Sequence, residues 1–197
     1  MSTLTLPDGR VYGYEQWGDP GGLPLFWIHG TPGGRLSRYP DVSLWDRLGL
    51  RVITVDRAGY GLSTPLPGRA VSHIAADVAA VADHLGIGRF AVHRGSGGGP
   101  HALAIAALLG DRVLACAAVC SMAPLEPDEV EAMLEINQES HRIMTEQGRA
   151  GLAEFLAPWR DRMLADPVAG LSGTATTTPT ARSARRGGSW TRCPAPA

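Results

Sequence analysis

Ser96 is the side chain around which nucleophilic chemistry could be organised, because it stands alone in a turn made of glycines. Residues 93–100 read His-Arg-Gly-Ser-Gly-Gly-Gly-Pro, and they join the apolar run 90–92 to an alanine-rich run that predicts a helix. A sharp turn from a strand into a helix holds a serine hydroxyl above the end of a sheet, and only small neighbours fit because strand and helix nearly touch. This layout predicts a nucleophile elbow with Ser96 as the nucleophile.

The elbow departs at one position from the expected Gly-x-Ser-x-Gly pattern. Gly98 stands two residues after the serine as required, but Arg94 stands two residues before it, and the glycine follows at position 95. The order Arg94-Gly95 reads as a swap of the expected pair. A long cation in place of glycine must either turn to water or be buried without a partner, and the second outcome is costly.

Two further loops follow buried-type strands and carry polar side chains. The loop 29–34, His-Gly-Thr-Pro-Gly-Gly, follows the apolar run 23–28, and the loop 56–63, Asp-Arg-Ala-Gly-Tyr-Gly-Leu-Ser, follows the apolar run 51–55. Both loops are too rich in glycine and proline to form regular structure.

The histidines and the acid near these loops have structural interpretations as well as chemical ones. We expect His29 and Asp56 to order their own loops, and His93 to pack inside its strand. His101 lies in the first turn after the elbow, and the sequence leaves open whether it faces the pocket.

Strands and helices alternate from about residue 24 to residue 119, which is typical of a doubly wound α/β fold with a mostly parallel sheet. A hairpin around Pro7-Asp8-Gly9 precedes them. The predicted strands are Leu23–Ile28, Arg51–Val55, Phe90–Val92 and Val113–Val119, and the predicted helices are Ser43–Leu48, one capped by Ser72 and ending near Leu85, and one from Pro100 to Gly110.

The order and spacing of the three loops resemble the α/β-hydrolase family, in particular its esterase, proline-iminopeptidase-like and cofactor-free haloperoxidase-like members, over about residues 4–165. The resemblance implies that Ser96 is the nucleophile that forms an acyl-enzyme. It implies that the backbone N–H groups of Thr31 and Gly97 form the oxyanion hole. The supporting motif residues are His29, Gly30 and Gly98.

This resemblance implies a serine hydrolase of small ester, amide or related acyl substrates that needs no cofactor and no metal. Serine rather than aspartate at position 96 argues against the epoxide-hydrolase and haloalkane-dehalogenase branches. The family completes its triad with an acid and then a histidine after later strands. The residues after Val119 hold a single histidine, His141, and Glu126 or Asp128 is the open choice for the acid. The alternative is therefore an inactive truncated remnant or a non-catalytic binding module of the same fold.

Three segments that differ in composition and hydrophobic pattern predict the domain organisation. Residues 1–123 form the core, and residues 124–168 form a helical cap segment. In this segment an acidic helix start is followed by a helix over 151–164 that is interrupted near Pro158. The apolar stripe of the cap could line a pocket or serve ordinary helix packing. Residues 169–197 predict a disordered tail, and the loss of acids and branched apolar residues after about residue 171 suggests a change of reading frame there.

Composition bounds the partners of the chain. The net charge of −1 gives no reason to expect nucleic acid or an anionic membrane. Apolar runs such as 113–120 are far shorter than the ~20 residues of a membrane span. The three cysteines have no metal-site or redox spacing, and the N-terminus has no signal-peptide pattern. We expect a cytoplasmic protein with a small-molecule substrate, and self-association through an unfinished sheet edge.

Overall fold

The computed structural model describes residues 2–122 and 126–166, and the chain divides into two compact units, 1–124 and 125–197. The first unit contains a six-stranded sheet in the order β1-β2-β4-β3-β5-β6. Its strands are β1 (Ser2–Thr5), β2 (Val11–Gly18), β3 (Leu23–Ile28), β4 (Leu50–Val55), β5 (Phe90–Ser96) and β6 (Val113–Ser121). The pairs β1–β2 and β2–β4 are antiparallel and the other three are parallel, which confirms the predicted sheet.

Helices pack on both faces of this sheet. Strand β3 contacts both layers, because successive side chains of a strand point to opposite faces. Phe26 and Ile28 are fully buried and belong to the main core, together with apolar residues of α2 (Ile74–His84) and α3 (Gly99–Leu108). Trp27 points the other way and packs edge-on against Trp45 of α1 (Ser43–Arg47), with the ring centroids 5.5 Å apart. The two faces together make the doubly wound arrangement that the alternation predicts.

The strands that carry the three predicted loops run parallel, so their carboxyl ends meet at one edge of the sheet. β3 ends at Ile28, β4 ends at Val55 and β5 ends at Ser96. β5 is longer than predicted and takes the serine into the last position of the strand. The loops 29–34 and 56–63 therefore lie beside the elbow.

The predicted N-cap of the second helix is wrong. Ser72 lies inside a 3₁₀ turn, Val71–His73, and α2 begins only at Ile74 without a side-chain cap. The backbone N–H of Ala70 donates instead to Nδ1 of His73, 2.8 Å away. The 3₁₀ turn leads directly into α2, because the backbone N–H of Ile74 donates to the carbonyl oxygen of Ser72.

The second unit contains α4 (Pro127–Glu131) and α5 (Glu135–Ala165). The predicted interruption near Pro158 is wrong, because α5 runs through that proline. The helical dihedrals fail instead at Gly148, where φ is 66° and ψ is −160°. Glycine adopts this left-handed φ at little energetic cost, so α5 kinks at Gly148.

Two predictions concern residues that the structure does not describe. The boundary at residues 123–124 and the tail 169–197 lie outside the described residues. Within the described ranges, no helix is both long enough and apolar enough to cross a membrane.

β6 forms one edge of the sheet within residues 2–122 and 126–166, and its apolar side chains are open to solvent. Leu114 is 43% exposed and Val119 is 52% exposed. A long apolar edge strand is a template for pairing with another chain. The described residues place no strand beyond it.

We therefore expect concentration-dependent self-association of the chain through β6. Val119→Lys should weaken it about tenfold, or ~1.4 kcal/mol, because a charge on an edge strand opposes pairing. Leu103→Lys is the matched control, since Leu103 lies on α3 and is 51% exposed. Sedimentation velocity over a concentration series measures the effect. A wild-type protein that stays monomeric throughout contradicts the expectation.

Candidate active site

Ser96 lies at the tip of a strained turn between β5 and α3. Its φ is 53°, and among the described residues only Cys120 is another non-glycine residue with positive φ. The N–H of Gly98 donates to the carbonyl oxygen of Gly95 at 3.1 Å and closes the turn. Such a backbone conformation costs about 1–3 kcal/mol and is found mostly at functional sites. The turn has the shape that the sequence predicts for the elbow.

The glycines after the serine are required by close backbone contacts. A Cβ on Gly98 would lie 2.5 Å from the carbonyl oxygen of Ile28. A Cβ on Gly97 would lie 2.9 Å from Oγ1 of Thr31 and 3.4 Å from its backbone nitrogen. The elbow therefore sits directly against the end of β3 and the loop that follows it.

The glycine at position 95 also has a steric reason, which explains the departure from the expected pattern. A Cβ there would overlap the carbonyl oxygen of Val119 in β6. The β5–β6 register shifts at this point, because Gly95 is opposite Val119 whereas Ser96 is opposite Ser121. The carbonyl oxygen of Val119 thus lies directly against position 95, which requires a glycine there.

The serine hydroxyl faces the loop predicted to supply the oxyanion donors. A Cβ on Gly30 would lie 3.5 Å from Cβ and 3.7 Å from Oγ of Ser96. The same loop brings the backbone nitrogen of Thr31 next to Gly97. The structure therefore gathers Ser96, Gly97, Gly30 and Thr31 in one place.

Arg57 holds this loop in position, and the sequence analysis did not single it out. Its guanidinium is buried, and Nη2 donates to Oγ1 of Thr31 at 2.7 Å and to the carbonyl oxygen of Gly30 at 3.0 Å. Its Cζ lies 4.7 Å from the centre of the Tyr60 ring. The only local feature that could have pointed to Arg57 is its position directly after Asp56 in a tight turn. Its hydrogen-bond partners, Gly30 and Thr31, are remote in sequence.

His29 shapes its own loop, as expected. The backbone N–H of Arg57 donates to Nε2 of His29 at 3.1 Å, so the proton of the neutral ring is on Nδ1. Nδ1 in turn donates to the carbonyl oxygen of Gly30 at 2.7 Å. Burial lowers the pKa of His29 to about 4, so the ring is neutral near pH 7.

His101 is buried between the elbow and the guanidinium of Arg57. Its Nδ1 lies 3.1 Å from the carbonyl oxygen of Gly97, and both ring nitrogens lie 3.3 Å from Nη1 of Arg57. Nδ1–H donating to Gly97 leaves Nε2 to accept from the guanidinium. Burial, reinforced by the charge of Arg57, lowers the pKa of His101 to about 4.

Asp56 orders the turn that carries Arg57, in line with the expectation. Its buried carboxylate accepts from the backbone N–H of Arg35 at 2.6 Å, from Nη1 of Arg35 at 2.8 Å and from the N–H of Leu62 at 2.9 Å. Oγ of Ser63 donates to the backbone carbonyl of Asp56 at 2.7 Å. This buried ion pair and its hydrogen bonds fix where the neighbouring Arg57 emerges.

A general base for Ser96 is not among the contacts of the described residues. The nearby histidine rings of His29 and His101 are engaged with Arg57 and with backbone carbonyls. His93 packs edge-on against Trp27, with centroids 4.7 Å apart. His141 lies on α5 in the second unit. No group of three His, Cys, Asp or Glu residues in the described ranges could hold a metal ion.

Comparison with known proteins places these features in a family context. The family model described as alpha/beta hydrolase fold matches residues 24–179. The chain is 34% identical over 114 residues to a proline iminopeptidase of Xanthomonas citri, which covers 54% of this chain and 35% of that protein. It is 34% identical over 128 residues to a bifunctional esterase/perhydrolase of Acinetobacter calcoaceticus, which covers 64% of this chain and 46% of that protein.

A solved structure is also similar. The enol-lactonase from Burkholderia xenovorans LB400 matches with a TM-score of 0.57 at 25% identity, and the match covers 87% of this chain and 65% of that one. The chain thus spans less than half of the length of the two curated relatives.

The two buried histidines predict how stability depends on pH. Their folded-state pKa values of about 4 lie below the ordinary 6.5, so the unfolded chain binds protons that the folded chain does not. Stability is therefore complete above pH 6.5 and falls toward pH 4, by about 1.4 kcal/mol per pH unit for each histidine.

His101→Gln should remove one of these two contributions, because the amide oxygen still accepts from Arg57 but does not titrate. Urea unfolding at several pH values within this window measures the slope for the wild type and the variant. Equal slopes for the two proteins contradict the assignment of a neutral, buried His101.

Proposed function

This chain belongs to the alpha/beta hydrolase fold family, and from that premise we propose that it is a serine hydrolase of small ester, amide or related acyl substrates. The observation that carries the proposal is Ser96 at φ 53°, with its hydroxyl turned toward the loop that contains Gly30 and Thr31. A strained serine of this kind presents its oxygen to a ligand and is hard to explain by packing alone.

In the proposed reaction, Oγ of Ser96 attacks the acyl carbon, and the carbonyl oxygen becomes an oxyanion. The backbone N–H groups of Thr31 and Gly97 are proposed to donate to that oxyanion, and loss of one such donor costs about 2.7–4 kcal/mol in a well-studied case. The bond to the leaving group then breaks, and the leaving group takes up the proton that the Ser96 hydroxyl gave up. Water attacks the acyl-serine, releases the acid and restores the Ser96 hydroxyl.

Arg57 supports this step through position and charge. Its hydrogen bonds to Thr31 and Gly30 hold the loop whose N–H faces the elbow. Its hydrogen-bonding partners are neutral, and no carboxylate of the described residues forms an ion pair with it. A fixed positive charge in a dry site favours a developing oxyanion.

The substrate class follows from the chemistry shared by the relatives. One relative is a proline iminopeptidase and another a bifunctional esterase/perhydrolase, whose names describe those proteins. Acyl transfer to serine unites such activities. For this chain we propose small acyl compounds, with the helices α4 and α5 as the family's cap segment.

One observation favours the second candidate, a non-catalytic binding module or remnant. The serine has no histidine partner among the described residues. A serine without its base retains only the catalysis of the oxyanion hole and binding, about 10³–10⁴-fold over water in the well-studied case.

Reaction with a fluorophosphonate probe separates the two candidates. A serine hydrolase should take up one label per chain, and Ser96→Ala should abolish the label. Ser72→Ala is the control, since Ser72 is an exposed serine in the 3₁₀ turn before α2, and it should label like the wild type. Intact mass spectrometry measures the uptake.

The opposite outcome is equally informative. A sample that melts cooperatively but takes up no label contradicts the enzyme proposal and supports the remnant.

A further inference from the structure

Arg94 occupies the position where the elbow pattern has glycine, and its side chain is folded inward rather than turned to water. Its Cζ lies 5.1 Å from the centre of the Trp27 ring. Its Nε is buried and has no hydrogen-bond partner. A Cβ built on Gly98 would collide with Cγ of Arg94, so the aliphatic part of the arginine packs against this glycine. The arginine therefore fills space next to the elbow.

The guanidinium reaches the same side of the site as the nucleophile. Arg94 and Ser96 lie two residues apart at the carboxyl end of β5. A Cβ on Gly30 would lie 3.8 Å from Nη2 of Arg94 and 3.7 Å from Oγ of Ser96. Both side chains thus reach within 4 Å of one point.

The charge of Arg94 meets no acidic partner among the residues that the structure describes. Within residues 2–122 and 126–166, its side chain makes no ion pair and no hydrogen bond, whereas Arg35 and Arg112 both pair with aspartates. Burial lowers its pKa, as expected for a cation that lacks a compensating acid. A partly desolvated guanidinium with free N–H groups is a strong binding group for an anion.

We propose that Arg94 binds a carboxylate of the substrate, so that the preferred substrates are short acyl compounds with a negative charge a few bonds from the reacting carbonyl. This inference rests on the proposed function of Ser96. The planar fork of arginine donates two parallel N–H groups to a carboxylate, and the Trp27 ring keeps the fork in place. A half-ester of a dicarboxylic acid has the required chemistry.

Binding tests the proposal without any need for turnover. Monomethyl succinate and its neutral counterpart, dimethyl succinate, are titrated into the protein by calorimetry. We expect Arg94→Gln to weaken the binding of monomethyl succinate at least tenfold and to leave dimethyl succinate unaffected. Arg94→Lys should fall between the two, since it keeps the charge but loses the fork. Arg89→Gln is the matched control, because Arg89 is an exposed arginine that precedes the same strand.

Hydrolysis gives the second readout. 4-Nitrophenyl hemisuccinate and 4-nitrophenyl butyrate differ by a carboxylate in place of a methyl group. The wild type should prefer the hemisuccinate, and Arg94→Gln should lower the hemisuccinate rate at least tenfold more than it lowers the butyrate rate.

The outcomes distinguish the two proposals. Loss of monomethyl succinate binding in Arg94→Gln, with no fluorophosphonate labelling of Ser96, supports the carboxylate site and overturns the enzyme. Labelling of Ser96 with equal binding by wild type and Arg94→Gln overturns the carboxylate site alone. A fall in both hydrolysis rates by the same factor also overturns it, because Arg94 would then act on the oxyanion. If Arg94→Gln melts early, the graded loss in Arg94→Lys decides, and wild-type binding in that variant counts against the proposal.

Discussion

The site depends on how closely three backbone segments approach one another at the carboxyl edge of the sheet. The elbow touches the end of β3 through Gly98 and the loop after β3 through Gly97, and β6 approaches from the other side at Gly95. Only glycine permits such contacts, since a Cβ at any of these positions would collide with a neighbouring atom. These contacts hold Ser96 at a φ that serine seldom adopts, so the strain of the elbow is supported from both sides of β5.

Charge at this edge is controlled by burial more than by ion pairing. Asp56 and Arg57 are adjacent in one turn, yet they face different partners. Asp56 is paired with Arg35 and orders the turn, whereas Arg57 meets Thr31 and two histidines that burial keeps neutral. The positive charge of Arg57 therefore lies behind the loop that faces the serine, with no acidic partner among the described residues. In a medium of low dielectric constant, such a charge acts more strongly than it would in water.

The sequence was sufficient for features that depend on neighbouring residues. Apolar runs identified the strands, and the glycine turn identified the elbow, because both signals are local. Arg57 was missed because its partners come from loops distant in sequence. The kink of α5 was misplaced because proline is the stronger local signal, whereas Gly148 takes the unusual dihedrals. For Arg94 two alternatives followed from the sequence, exposure to water or burial, and its side chain packs over the ring of Trp27 on another strand.

The arginine at position 94 and the glycine at position 95 together make up the departure from the expected elbow pattern. Because β6 carries a register shift beside the elbow, its carbonyl at Val119 presses on position 95, and the glycine must stand there. Position 94 accommodates a long side chain, whose Cγ lies beside Gly98. Nη2 of Arg94 and Oγ of Ser96 both lie within 4 Å of one point beside Gly30, so this side chain extends into the space next to the serine hydroxyl. An apolar side chain would merely fill that space, but a guanidinium held over Trp27 also brings an unpaired charge there. The departure from the expected pattern thus keeps the elbow intact and changes which ligands it favours.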